Sequence, residues 1–217
     1  MSNRRERPGG RGHRTWPRGR AGVTGVVLAG GAGRRIGGAK ATVKLGGRPL
    51  ISFPLEAVWR ALGSATVLAK IDSELPDLPG VTVWVEPQEP RHPLFGIVHA
   101  LELAEGRPVL VCAGDLPFVT AEVVAGLAAA EPGSAPAVLA CAHGRLQPLL
   151  ACYYPPALER LAPAASEAQA RLVETVEALD PRRYDVGDVD VLFNVNTPDD
   201  LLTAAAMLDS RQTASRT

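Results

Sequence analysis

The stretch from Val26 to Lys40 constrains this chain more than any other. The apolar run Val26-Val27-Leu28-Ala29 leads directly into Gly30-Gly31-Ala32-Gly33-Arg34-Arg35-Ile36-Gly37-Gly38-Ala39-Lys40. A buried strand that breaks into a loop of glycines and cations is a phosphate cradle. Glycine lets successive backbone N–H groups turn toward an anion with no Cβ in the way. Arg34, Arg35 and Lys40 bring the countercharge. The loop therefore points to a nucleoside triphosphate held beyond the end of a strand.

Two familiar phosphate loops do not fit. A P-loop needs a lysine directly after its last glycine and a hydroxyl residue after that lysine. Here Ala39 separates Gly38 from Lys40, and Ala41 follows. A dinucleotide fingerprint needs a third glycine where Ile36 stands, and an acidic residue at the end of the next strand. The next strand-like stretch, Ser64 to Ala69, has none.

The rest of the chain alternates strand and helix signals. Strands are predicted at 24–29, 64–69, 81–85, 108–113 and 189–195, the first and fourth apolar throughout, as in a parallel sheet covered on both faces. Helices are predicted at 49–62, 95–104 and 120–130, the last capped by Thr120. A capping box at Ser166-Glu167-Ala168-Gln169 opens a helix to Leu179, and Thr197-Pro198-Asp199-Asp200 opens the last one, with Thr197 as N-cap. Stretches 137–142 and 147–153 flank His143-Gly144-Arg145 and read as a hairpin inserted into the alternation. The expected fold class is α/β: a Rossmann-like three-layer α/β/α sandwich with a mostly parallel sheet and an inserted β-hairpin.

Composition sets the boundaries. Residues 1–20 hold seven of the 20 arginines and one acid, Glu6, together with four glycines and two prolines. They read as a disordered tail. Residues 21–208 read as a single domain, and 209–217 as a frayed end. Beyond the tail 16 basic and 22 acidic residues remain, which argues against nucleic acid as a partner of the domain. No apolar run reaches the length of a membrane span, so no membrane role is expected. Cys112, Cys141 and Cys152 form no paired motif and sit in or beside apolar runs, which suits reduced thiols in a cytoplasmic protein. Lysine is scarce: only Lys40, Lys44 and Lys70.

In doubly wound sheets ligands bind beyond the carboxyl ends of the strands. The glycine loop, Glu86 and Asp115 each follow a predicted strand, and Asn196 ends one, so all converge on one rim. Asp115, directly after an apolar strand, suits Mg²⁺, which takes one or two carboxylates plus phosphate oxygens from its substrate. Strand alternation would put Asn194 and Asn196 on one face.

The glycine stretch resembles the signature L-A-G-G-x-x-x-R-M-G-x-x-K of nucleotidyltransferases similar to the molybdenum cofactor guanylyltransferases. It is met here by Leu28-Ala29-Gly30-Gly31, Arg35-Ile36-Gly37 and Lys40. Leu45-Gly46-Gly47-Arg48-Pro49-Leu50 is similar to the family's continuation. Gly114-Asp115-Leu116-Pro117-Phe118 resembles its C-D-x-P-F, and Asn194-Val195-Asn196-Thr197-Pro198-Asp199-Asp200-Leu201 its N-V-N-T-P-E-D-L. Weaker matches are Pro93-Leu94-Phe95-Gly96-Ile97, a segment near the ribose and base, and Gln147-Pro148-Leu149, on the acceptor side. The resemblance spans residues 24–208.

It implies catalytic roles for Arg35, Lys40 and Asp115, with Asp115 on Mg²⁺. Nucleotide contacts fall to Leu28, Ala29, Gly30, Gly31, Gly33, Lys40, Glu86, Gly96 and Asp115, and acceptor contacts to Gln147, Asn194 and Asn196. The implied reaction transfers GMP from GTP to the terminal phosphate of molybdenum-molybdopterin. Implied partners are GTP, the molybdopterin cofactor, and the molybdoenzyme or delivery protein that receives the product. Several positions depart from the pattern. Ala39 replaces an aspartate, Ala69 an asparagine near guanine, Glu86 an aspartate, Phe95 a small residue, and His92 a glycine. The departures near the base leave open a related enzyme, using CTP on molybdopterin or acting on a sugar or lactyl phosphate. A nucleotide-binding regulator without catalysis is a third reading.

Overall fold

A computed structural model describes residues 22–29, 40–165 and 171–214. The tail at 1–20, loop residues Gly30, Gly31, Gly33 and Arg35, and the capping box at 166–169 lie outside the described residues.

Seven strands form one sheet: β1 (Thr24–Leu28), β4 (Thr66–Lys70), β5 (Thr82–Glu86), β6 (Val109–Ala113), β7 (Ala137–Ala142), β8 (Arg145–Tyr153) and β9 (Arg182–Asp185). Their order is β5-β4-β1-β6-β8-β7-β9. The first four are parallel neighbours. The hairpin β7–β8 enters with β8 antiparallel to β6, and β9 then runs parallel to β7. His143 and Gly144 make its turn with φ of 48° and 76°. A separate two-stranded ribbon joins β2 (Lys44–Leu45) to β3 (Arg48–Pro49).

The layers follow from strand alternation. Val27, Leu110 and Cys112 face a core built with α1 (Ser52–Leu62) and α3 (Ala121–Ala129). Val26, Leu28, Val109 and Val111 face the other, built with α2 (Pro93–Leu103), α4 (Pro156–Ala165) and α5 (Leu172–Glu177). All five residues of β6 are buried, as a central strand requires. Gly25 lets α1 press onto β1: a Cβ there would lie 2.9 Å from Leu62 Cδ1 and 3.3 Å from Ser64 O. A third cluster of Leu45, Leu50, Phe118, Val195 and Ala204 docks α6 (Pro198–Ala214) beside the ribbon.

The structure departs from the sequence reading in several places. Stretch 189–195 is not a strand. Val189–Leu192 is a 3₁₀ turn, capped by Asp188, whose carboxylate accepts from Asp190 N at 3.0 Å. The alternating valines follow core contact rather than sheet pairing: Val191 and Val195 are buried, whereas Val189 is exposed. The sheet position belongs to β9, whose sequence Arg-Arg-Tyr-Asp carries no apolar alternation. Asn194 and Asn196 therefore lie in an irregular segment and do not share a strand face. Helix α4 forms between Pro156, tolerated in a first turn, and Ala165. Helix α6 continues to Ala214, past the expected end at Leu208.

Candidate active site

The carboxyl ends of β1, β4, β5 and β6 open into a cavity of about 310 Å³. Its walls include Leu28 and Ala29 after β1, Lys70 and Glu86 at the ends of β4 and β5, Gly96 in α2, and Gly114 and Asp115 after β6. Lys40, in a 3₁₀ turn at Lys40–Thr42, and Arg91 and His92 complete its mouth. Of the expected nucleotide contacts among the described residues, Leu28, Ala29, Lys40, Glu86, Gly96 and Asp115 all line this one space.

The backbone explains the convergence. Gly114 N donates to Leu28 O at 3.0 Å, continuing the β1–β6 pairing one residue past the strand. A Cβ at Gly114 would sit 3.0 Å from that carbonyl and 3.4 Å from Ile51, so a side chain there would need the neighbouring backbone to give by a few tenths of an ångström. Val195 N donates to Asp115 O at 3.0 Å, which brings the asparagine segment alongside.

Lys40 joins the two halves of the mouth. Its ammonium forms an ion pair with Asp115 Oδ2 and donates to Asn196 Oδ1 at 2.6 Å. Both charged side chains are mostly enclosed, 15% and 17% exposed. Asp115 Oδ1 is buried with no hydrogen-bond partner among the described residues. Asn196 is held in turn by the cap of α6. Asp200 Oδ2 accepts from Asn196 N at 2.9 Å and Thr197 N at 2.8 Å, and Thr197 Oγ1 accepts from Asp200 N at 3.1 Å. This is the predicted cap, with Asp200 in the acidic role of a capping box. Hydrogen bonds from Asn196 and Thr197 hold the Asp200 carboxyl below its ordinary value, and the Lys40 charge adds a smaller pull.

Gln147 and Asn194 meet each other, with Nε2 donating to Oδ1 at 3.5 Å, and neither lines the cavity. The asparagines are thus divided: Asn196 serves Lys40, and Asn194 faces Gln147. Cys112, three residues before Asp115, is buried, and burial followed by the Asp115 charge pushes its thiol far up. It stays protonated and is neither a nucleophile nor a metal ligand.

Sequence reasoning misses Lys70. It is buried beside Glu86, with Nζ 3.2 Å from Glu86 Oε2. The scarcity of lysine that draws notice to Lys40 marks Lys70 equally. Arg91 is also missed. It pairs at the rim with Asp72 and with Glu89 Oε1 at 3.2 Å, and its hydrogen bond holds the Asp72 carboxyl below its ordinary value.

A family model described as the MobA-like NTP transferase domain matches residues 25–181. A molybdenum cofactor guanylyltransferase from Cereibacter sphaeroides is 31% identical over 188 residues, covering 85% of this chain and 96% of that protein. Another from Rhizobium leguminosarum is 33% identical over 215 residues, covering 88% and 96%. Among solved structures, the molybdopterin-guanine dinucleotide biosynthesis protein A of Archaeoglobus fulgidus aligns with a TM-score of 0.68 at 25% identity, covering 86% of this chain and 99% of that one.

Proposed function

This chain belongs to the MobA-like NTP transferase family, and on that premise we propose that it transfers GMP from GTP to the terminal phosphate of molybdenum-bound molybdopterin. The curated relatives quoted above are named for guanylyl transfer in molybdenum cofactor synthesis. The observation that carries the reading is that Lys40, held by Asp115 and Asn196, lines one cavity together with Asp115 and Glu86.

The donor set fits a divalent metal. Asp115 Oδ1 is a buried anionic oxygen with no hydrogen-bond partner among the described residues. Among the described residues no group of three or more His, Cys, Asp or Glu stands ready to enclose an ion. A single carboxylate, with phosphate oxygens supplying other ligands, is how Mg²⁺ is bound at triphosphate sites. When bound at Asp115, Mg²⁺ supplies positive charge against the triphosphate and the departing pyrophosphate.

The chain's own residues do the rest. The acceptor phosphate is an anion at neutral pH and needs no general base. One of its oxygens attacks the α-phosphorus of GTP, the bond from that phosphorus to the β-bridging oxygen breaks, and pyrophosphate leaves with the electron pair. The obstacle is repulsion between two polyanions. Lys40 swings from Asp115 to the triphosphate, and Arg35 adds a second cation. Asn196 keeps Lys40 near its working position, and Leu28, Ala29 and Gly96 shape the wall against which the nucleoside lies. Glu86 accepts from guanine N1–H and the 2-amino group. Gln147 and Asn194, joined to each other, take the acceptor side. The product passes to a molybdoenzyme or a protein that delivers the cofactor. Among the described residues no helix is long and apolar enough to cross a membrane.

The test is pyrophosphate release from GTP on addition of the acceptor. Release that requires a divalent metal and falls by roughly a hundredfold to a thousandfold in Asp115→Ala supports the reading. The scale is roughly that of removing one preorganised electrostatic group. Release that survives the substitution refutes it.

A further inference from the structure

Positions at which this chain departs from its family's motifs gather around one ammonium group. Lys70 ends β4 and is the register partner of Glu86 at the end of β5. Lys70 is 8% exposed and Glu86 5%. The Lys70 Nζ donates to Pro90 O at 2.8 Å and lies 4.8 Å from the centroid of the Phe95 ring. Phe95 is itself stacked on His99 one turn along α2, with centroids 5.8 Å apart. Glu86 and Phe95, both departures from the family pattern, thus contact the same lysine. Ala69, a third, precedes it.

An ammonium so enclosed needs compensation, and a carbonyl, an aromatic face and a carboxylate provide it. If the pair only tied two strand ends together, Lys70 would satisfy Glu86. It does not. The separation of 3.2 Å is ion-pair range, yet Glu86 Oε2 is buried without a hydrogen-bond partner among the described residues. The donors of Lys70 point elsewhere, to Pro90 and the Phe95 ring. Glu86 keeps its lone pairs while its charge is balanced. Gly96 faces the other oxygen: a Cβ there would lie in van der Waals contact with Oε1, at 3.9 Å.

We propose that Lys70 is the positioning residue for base selection: it fixes Glu86 as a charge-balanced carboxylate whose oxygens accept from two adjacent N–H donors of a purine. The inference rests on the guanylyl reading above, in which those donors are the guanine N1–H and 2-amino group. Charge balance matters because the same cavity admits a triphosphate, and an uncompensated carboxylate in its lining would repel that ligand. Fixing matters because glutamate has one more rotatable bond than the aspartate it replaces, and a carboxylate free to rotate gives up part of the gain of a two-point contact.

The experiment compares dissociation constants for GTP and ITP, with Mg²⁺ and no acceptor, in the unaltered protein, Lys70→Met and Lys70→Arg. ITP keeps N1–H and O6 and lacks the 2-amino group, so the ratio reads one bond to Glu86. The unaltered protein is expected to favour GTP by roughly tenfold to a hundredfold, the effect of leaving a carboxylate oxygen unpaired. Lys70→Met should bring the ratio to within about threefold of unity, and Lys70→Arg should restore most of it. A lysine that merely supports the fold would weaken GTP and ITP equally, so an unchanged ratio in Lys70→Met overturns the proposal. If Lys70→Met does not fold, Glu86→Gln is read instead. With Lys70 in place it should lose the preference for GTP, and its retention overturns the proposal. A protein that binds CTP more tightly than GTP refutes the guanylyl reading. One that prefers GTP to ITP and keeps the preference in Lys70→Met refutes only the role of Lys70.

Discussion

Replacing Lys40 by methionine should move two affinities in opposite directions. The ammonium occupies Asp115 Oδ2 and Asn196 Oδ1. A divalent metal seeking Asp115 must compete with it. For charges about 4 Å apart near a protein surface the gross attraction is about 4 kcal/mol. Both groups are mostly enclosed, but desolvation and the ordering of a long side chain remove much of that. A net value of about 1–2 kcal/mol remains, so Lys40→Met should bind Mn²⁺ roughly five- to thirtyfold more tightly without nucleotide. The same substitution removes a charge-assisted contact to the triphosphate, so GTP should bind roughly ten- to a hundredfold more weakly. Electron paramagnetic resonance of free Mn²⁺ reads the first and a fluorescent nucleotide titration the second. Mn²⁺ affinity that is unchanged or lower in Lys40→Met would refute the idea that lysine and metal share Asp115.

Two other perturbations probe how the site is held. Asp200→Asn weakens the cap that fixes Asn196 and should cost about 1 kcal/mol at neutral pH, read as a melting temperature lower by about 2–4 °C. Because the folded-state value of the Asp200 carboxyl lies below its ordinary one, its contribution is complete above about pH 4 and lost as pH falls through the lowered value. The gap between the two proteins in thermal melts should therefore narrow in acid. Gly96→Ala should separate stability from function. Its Cβ meets Leu28 Cδ1 at 3.5 Å, an ordinary contact, and alanine inside a helix gains about 0.5–1 kcal/mol over glycine. The melting temperature should rise, while GTP affinity falls because the methyl group intrudes where the base lies.

The parts of the fold written in local pattern were legible. β6 is apolar throughout, and β1 is apolar beyond Thr24, because helices cover both faces, and no other element type reads that way at that length. Thr120 and Thr197 act as caps where their positions suggested, with Thr120 Oγ1 accepting from Val123 N at 3.3 Å. The hairpin turn at His143-Gly144 was equally local. What escaped depends on partners distant in the chain. β9 is held by backbone pairing to β7, to which its charged side chains offer no clue. The alternation at Val189, Val191, Phe193 and Val195 has the period of a strand, yet Val191 and Val195 are buried by core contact without a neighbouring strand, and Val189 is exposed. Prolines at 155, 156 and 163 disguise α4, where one sits in the first turn and another inside the helix.

The same division holds at the site. Asp115, Glu86 and Lys40 were legible because the carboxyl ends of the parallel strands β1, β4, β5 and β6 share one rim. The pairing of Lys70 with Glu86 was not, since it depends on the register of two strands separated by the loop between β4 and β5. The hydrogen bond between Gln147 and Asn194, and that between Asn196 and Lys40, were likewise beyond the sequence, because each joins residues far apart in the chain.

The most direct test of the central claim offers the protein Mg²⁺, molybdenum-bound molybdopterin and each of the four nucleoside triphosphates in turn, with products identified by mass spectrometry. A guanine dinucleotide, formed with GTP alone and matched by pyrophosphate, is the expected product. A cytosine dinucleotide formed with CTP would contradict the assignment of Glu86 to guanine, and no dinucleotide with any triphosphate would contradict molybdopterin as the acceptor.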